Sequence, residues 1–302
     1  MTFNSFRIML RCLLGLLSFV IILSCFIILS VLAFAEIPEN SSSSVISDSE
    51  LLWLVNRHNT LAADYKPPTL ADYKGIKLHV AAYAPFIEML KVMQSEGITG
   101  LQLVSAYRPY SHQRVIFDRR VRELTKQGHD KETAIHLASQ SIQLPGSSEH
   151  QTGLALDVSV TGQLNQAFAE TVAGQWLDTH SHRFGFIIRY PQSKTEITNI
   201  IYEPWHLRYV GIPHATIMKE QNFALEEYLS YLEHVKNHVF WGDDDTYYLI
   251  VYTNSLPDVM PTFLVDISSV NLKDASAYIM TLRKSCPEPW QYGVHYTICD
   301  QK

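Results

Sequence analysis

The spacing of apolar and polar positions changes several times along this chain, and each change marks an element. From Leu13 to Ala35 nearly every position is apolar, broken only by Ser18, Ser24 and Ser30. That run is long enough to span a bilayer as a helix and exceeds the usual apolar region of a signal peptide. Residues 36–50 contain Pro38 and the run Ser41–Ser44 and show no apolar period, so they read as a flexible tether. Folded protein is expected from Leu51. Phe86, Leu90 and Met93 recur at helical spacing, which predicts a helix over Ala84–Ser95 with Pro85 in its first turn. Leu101–Ser105 predicts a short strand, and helices are expected from Ser111 and over Asp130–Gln140.

Beyond Gly153 the letters alternate: Leu154, Leu156 and Val158 on one face, Ala155 and Asp157 on the other. That is the period of a strand. A helix over Ala167–His180, strands over Phe184–Tyr190 and Ile200–Tyr202, and a helix over Glu220–Val235 complete a domain placed at 51–237. In residues 238–302 the pattern predicts a turn at Gly242–Asp245, strands over Tyr247–Tyr252 and Thr262–Ile267, and a helix over Leu272–Arg283. This makes a small α/β appendage. There is no internal repeat.

Composition adds direction. Apolar residues are 47% of the 302 positions and charged ones 18%, a bias that the leader largely produces. The net charge is −6; residues 1–35 contribute Arg7 and Arg11 and no acid, so the remainder carries −6 − 2 = −8. An acidic surface argues against nucleic acid as a partner. Two arginines ahead of the apolar run keep the N-terminus in the cytoplasm by the positive-inside rule. The expected location is therefore the cell membrane, single-pass, with the folded part on the extracytoplasmic side. Ala33-Phe34-Ala35 has the small-x-small form of a cleavage site, so residues 1–35 read as an anchor or a cleaved signal. Cys286 and Cys299 would be able to pair outside the cell.

The chemistry centres on Ser147–Asp157. His150 and Asp157 lie seven positions apart with Gly153 between them. A neutral imidazole and a carboxylate are two of the three protein ligands of a catalytic zinc site. Glu203-Pro204-Trp205-His206 offers the third in His206. Glu203 is then left over, tied to a ligand by three positions, where a general base for the attacking water belongs. Arg108, stiffened by Pro109 just past a strand end, is the candidate cation for a developing oxyanion. Each residue taken alone has a plainer reading. His206 would pack beside Trp205, Glu203 would pair with an arginine such as Arg208, and Arg108 would be a surface ion-pair residue. His180-Ser181-His182 has metal-like spacing at a helix–strand junction, and Asp243–Asp245 lacks the ligand spacing of a calcium loop.

Together, Ser105-Ala106-Tyr107-Arg108, the block Ser148–Asp157 and Glu203-Pro204-Trp205-His206 resemble the VanY-type zinc D-alanyl-D-alanine carboxypeptidases. Phe184-Gly185-Phe186, Arg189-Tyr190-Pro191 and Trp53-Leu54-Val55-Asn56 are similar to that family as well. The resemblance covers about Leu51 to Leu232. It implies an α+β fold, a small antiparallel sheet with flanking helices that carries Zn2+. It implies His150, Asp157 and His206 as ligands, Glu203 as catalytic base and Arg108 as transition-state stabiliser. Ser148, Gln113 and Tyr107 become substrate contacts. The implied substrate is a peptidoglycan stem peptide, and the implied reaction is removal of its C-terminal D-alanine, by a monomer.

Three other readings stand beside this one. The same chemistry on tetrapeptide stems would make an L,D-carboxypeptidase. A non-catalytic wall-binding module with a structural metal would leave Glu203 without a task. A His-His-carboxylate iron oxygenase usually has a more closely spaced ligand pair. All candidate site residues precede residue 238, so the appendage is expected to be dispensable for chemistry.

Overall fold

The computed structural model describes residues 49–242, 246–261, 263–270 and 276–285. A two-residue turn at Lys74–Gly75, with positive φ at both positions, joins β1 (Leu70–Tyr73) to β2 (Ile76–His79) in an antiparallel hairpin. Asp72 Oδ1 accepts from Gly75 N at 2.9 Å and tightens the turn. His79 ends β2 and caps α1 (Val80–Ser95), its Nδ1 accepting from Ala81 N at 3.2 Å. This cap starts the helix four residues before the expected Ala84, so Pro85 lies inside it rather than in the first turn.

The chain continues through β3 (Gln102–Ser105), α2 (Tyr110–Lys126), α3 (Lys131–Ser139), β4 (Ala155–Ser159), α4 (Val172–His180), β5 (Phe186–Ile188) and β6 (His206–Tyr209). Strands β3-β4-β6-β5 form one antiparallel sheet. On one face Leu156, Val158, Leu207 and Phe186 pack with Phe86, Met89 and Met93 of α1 and Trp176 and Leu177 of α4. The opposite face is left for polar side chains.

Several expected elements differ in extent. The predicted helix over Ala167–His180 divides, because Thr171 Oγ1 accepts from Gly174 N at 3.0 Å and caps a fresh start. Residues 166–170 form a 3-10 turn instead. Ile200–Tyr202 is not a strand; the ladder begins at His206, after Pro204. The helix expected over Glu220–Val235 is shorter, α6 (Leu225–Val235), and a separate helix that the pattern did not predict, α5 (His214–Glu220), precedes it. Asn222 in the left-handed region breaks them apart, and Glu227 Oε2 accepts from Ala224 N at 2.8 Å to cap the second.

The C-terminal part is a second antiparallel sheet, β7-β8-β10-β9, from β7 (Asn237–Trp241), β8 (Thr246–Thr253), β9 (Leu264–Ser269) and β10 (Tyr278–Ser285). The helix expected over Leu272–Arg283 is corrected: from Tyr278 onward the chain is a central strand, paired on both sides. Among the described residues the segment after 238 is therefore strands only, not the expected α/β pattern. Tertiary pairing decides here, and Tyr278, Ile279 and Thr281 are residues that a pleated surface accepts well. Ile250, Tyr252 and Ile279 of this sheet share a core with Ile217 and Met218 of α5, Tyr228 and Leu232 of α6, and Leu52. The sheet also holds the start of the fold. Ser49 N donates to Ile267 O at 2.7 Å, Leu52 N to Ser268 Oγ at 3.0 Å, and Trp53 Nε1 to Ser269 Oγ at 3.0 Å.

The apolar run 1–35, the tether up to residue 48, the turn residues Asp243–Asp245, and Cys286 and Cys299 lie outside the described residues. Among the described residues no helix is long and apolar enough to cross a membrane.

Candidate metal centre

A 3-10 turn over Glu149–Thr152 carries His150. Gly153 closes it with φ 74°, and a Cβ there would sit 2.9 Å from His79 N. Its carbonyl accepts from that same nitrogen at 2.9 Å, so the close approach locks the turn onto the end of β2. Asp157 on β4 lies directly across from His206 on β6. His150 Nε2 is 3.1 Å from Asp157 Oδ2, and His206 Nδ1 is 3.0 Å from Asp157 Oδ1. The two imidazoles stand edge to face with centroids 4.9 Å apart. All three residues are buried, and one ligand atom from each lies within 4.8 Å of the others.

This arrangement is poorly satisfied without a cation. His150 Nδ1 is 2.7 Å from Ala106 O, and a carbonyl only accepts. Nδ1 therefore carries the proton, and Nε2 of the neutral ring presents a lone pair to the Asp157 carboxylate. Burial, helped by the charge of Arg108, pulls His150 down to about 4, so the ring is neutral near pH 7. Asp157 Oδ1, 3.0 Å from His206 Nδ1, is buried but lacks the alignment of a hydrogen bond. Two acceptors facing each other in a dry site repel, and a zinc-sized cation between them removes the repulsion.

Glu203 completes the cluster, with Oε2 at 3.7 Å from His206 Nδ1. Burial raises this carboxyl well above its usual value, Asp157 adds to the rise, and Arg108 opposes it. Arg108 follows β3, and its amide donates to His150 O at 2.9 Å, which ties it to the ligand turn. Burial pulls its guanidinium down, and the charges of Asp157 and Glu203 oppose the fall. Gln113 on α2 is buried; its Nε2 donates to Gln143 O at 2.6 Å, and its Oε1 has no partner among the described residues. Ser148 is buried ahead of the ligand turn and Tyr107 is half-buried beside Arg108. The side chains of Ser148, Gln113 and Tyr107 make no hydrogen bond to the ligand set among the described residues. His180 stacks on Trp176 and His182 Nδ1 lies 3.4 Å from Thr216 Oγ1, so neither joins the cluster.

Comparison with known proteins agrees with this geometry. The family model VanY, D-alanyl-D-alanine carboxypeptidase, matches residues 75–212. A D-alanyl-D-alanine carboxypeptidase of Enterococcus faecalis is 36% identical over 203 residues, 65% of this chain and 74% of that protein. The chain belongs to the VanY family. A solved structure of the vancomycin-resistance D,D-pentapeptidase VanY in complex with Zn(II) is 37% identical with a TM-score of 0.55, covering 60% of this chain and 99% of that one. VanYB in complex with D-alanine-D-alanine has the same identity and TM-score. The LD-carboxypeptidase LdcB is 36% identical with a TM-score of 0.53, covering 60% of this chain and 86% of that one.

The donor set and the zinc of the VanY relative agree, and zinc is the cofactor of this VanY-family centre. Four residues around it, Glu149, Arg189, Tyr190 and Arg208, were given no role at the site by their motifs. Tyr190 lays its ring 4.9 Å from that of His206. Arg208 does not pair with Glu203; its Nη1 lies 2.9 Å from Glu149 Oε1. Arg189 Nε donates to that same oxygen at 2.8 Å. A signal existed for one of them: Arg208 is two residues past His206 on a strand and so must share its face.

Proposed function

We propose that this chain is a membrane-tethered zinc carboxypeptidase that removes the C-terminal D-alanine from peptidoglycan stem peptides. One observation carries the reading. Glu203, a carboxyl held above its usual range, meets the buried His150–Asp157–His206 set at 3.7 Å. A purely structural metal needs no such group.

When bound, zinc supplies Lewis acidity, making water more acidic and polarising a carbonyl. Glu203 is the proton carrier: it takes a proton from the attacking water and delivers it to the leaving amine of D-alanine. A C–O bond forms as the amide C–N bond breaks. Arg108 stabilises the negative charge that develops on the carbonyl oxygen in this buried site. Gln113, with a free buried acceptor, is assigned with Ser148 and Tyr107 to substrate binding.

The test is to incubate zinc-loaded protein with synthetic pentapeptide and tetrapeptide stems and read released D-alanine by mass. Release from neither ends the proposal. The likeness to LdcB supports a second reading, L,D-carboxypeptidase activity, for which release from the tetrapeptide alone is the signature.

The apolar run behind Arg7 and Arg11 supports a single-pass anchor that leaves residues 51–237 outside the membrane, where peptidoglycan lies. Fractionation checks this. Recovery solely as a soluble form starting at Glu36 would establish a cleaved signal instead.

A further inference from the structure

Behind the ligands lies an ion cluster with little contact with water. Glu149 immediately precedes His150 and is 1% exposed, Arg189 is 1% exposed and Arg208 is 0% exposed. One oxygen, Glu149 Oε1, takes Arg189 Nε at 2.8 Å and lies 2.9 Å from Arg208 Nη1. Both guanidiniums are themselves held. Arg189 makes a two-pronged contact with Glu226 on α6 at 2.9 and 2.7 Å. Arg208 Nη2 donates to the carbonyls of Glu50, Leu51 and Trp53.

Position matters more than charge balance here. Arg208 shares the strand and the face of His206, while Arg189 adjoins Tyr190, whose ring rests on His206. Glu149 shares the rigid turn of His150. A single carboxylate oxygen thus joins the segment that carries one ligand to the two segments that place the other. Burying the charges of Glu149, Arg189 and Arg208 costs several kcal/mol per ion, and well-packed apolar side chains often serve stability equally well or better. A role in geometry accounts for such a cluster better than a role in stability.

We propose that Glu149 is a positioning residue for the zinc site: clamped between Arg189 and Arg208, it sets the spacing of His150 and His206 around Asp157. This rests on the metal-site reading above. It predicts that metal affinity depends on Glu149 and not on Glu226, although both pair with Arg189.

The test uses the full-length, metal-free chain titrated with Co2+, reading affinity and the visible d–d bands, with melting temperature alongside. Glu149→Gln should weaken binding by about 10- to 100-fold, the usual effect of losing outer support for a metal ligand, and alter the bands. Glu226→Gln, at the outer end of the cluster, should lower the melting temperature yet keep affinity and bands. Glu149→Asp keeps the charge with a shorter reach; it should fold and bind with intermediate affinity, and it decides the matter should Glu149→Gln not fold. Parental affinity and bands in the folded Glu149 variants overturn the proposal. So does an equal loss of affinity in Glu226→Gln, which would mark the cluster as general support. A parent chain that binds no Co2+ overturns the metal-site reading as well.

Discussion

Asp157 and His206 are cross-strand partners in the β4–β6 ladder. One register therefore sets two of the three candidate ligands. Partners directly opposite in an antiparallel pair bring their Cβ atoms within about 4.5–5.5 Å, a distance that suits a shared ion. A slip of one residue would turn one of them into the apolar face formed by Leu156 and Leu207.

The ligand set makes the first prediction. His150→Ala and His206→Ala should each lose most of the bound zinc by elemental analysis, because two remaining ligands hold zinc poorly. Full metal content in both variants contradicts the site.

Glu203 and Arg108 should act on rate more than on the fold. Glu203→Gln keeps the outline of the side chain but cannot carry the proton. Zinc should stay bound while turnover falls on the order of 10²–10⁴-fold. Arg108→Ala should cost roughly 10²–10³-fold, and lysine should restore only part, since a point charge lacks the guanidinium fork. Zinc content, melting temperature and turnover are to be read on the same samples. A Glu203→Gln protein that melts early yet turns over near the parental rate rules out the mechanism.

Gly153→Ala should destabilise the protein by about 1–3 kcal/mol. The positive φ disfavours a side chain there, and the new Cβ meets His79 N at 2.9 Å. Denaturant titration measures it; an unchanged midpoint would mean that the turn relaxes freely.

His214 joins α5 to Tyr228 and Thr281, with Nδ1 at 2.7 Å from the Tyr228 hydroxyl and Nε2 at 2.9 Å from Thr281 Oγ1. Burial, with a smaller push from His238, lowers its pKa from 6.5 to about 3. The unfolded chain then binds the proton that the folded chain refuses. Stability from this residue is complete above about pH 6.5 and is lost as pH falls toward 3, at no more than about 1.4 kcal/mol per pH unit. Comparing acid unfolding of the parent with His214→Gln should show a shallower fall in the variant. Parallel curves would refute the assignment.

A chain ending at Lys236 would uncover Tyr228 and Leu232 on α6 as well as Leu52. Each large apolar side chain taken from water contributes about 1.5–3 kcal/mol, against a total stability of about 5–15 kcal/mol. The truncated chain should fail to fold or should aggregate, as judged by circular dichroism and gel filtration. A melting temperature within a few degrees of the parent would show that the second sheet is a separable addition.

The sequence by itself determined the donor set. His150 and Asp157 sit in one short block with a glycine whose conformation is local, and His206 and Glu203 sit three apart around a proline. The alternation that put Asp157 on the face away from Leu154, Leu156 and Val158 is also local, and the structure keeps it. Tertiary structure alone decided what depends on distant partners. Residues 278–285 form a strand because β8 and β9 flank them, which no local period records. Arg208 pairs with Glu149 rather than Glu203 because the 149–152 turn folds over β6 from 59 positions earlier in the chain. Periodicity reports which face a residue takes; only packing determines what waits there, since the energy of a buried charge is set by its neighbours and not by its place in the sequence.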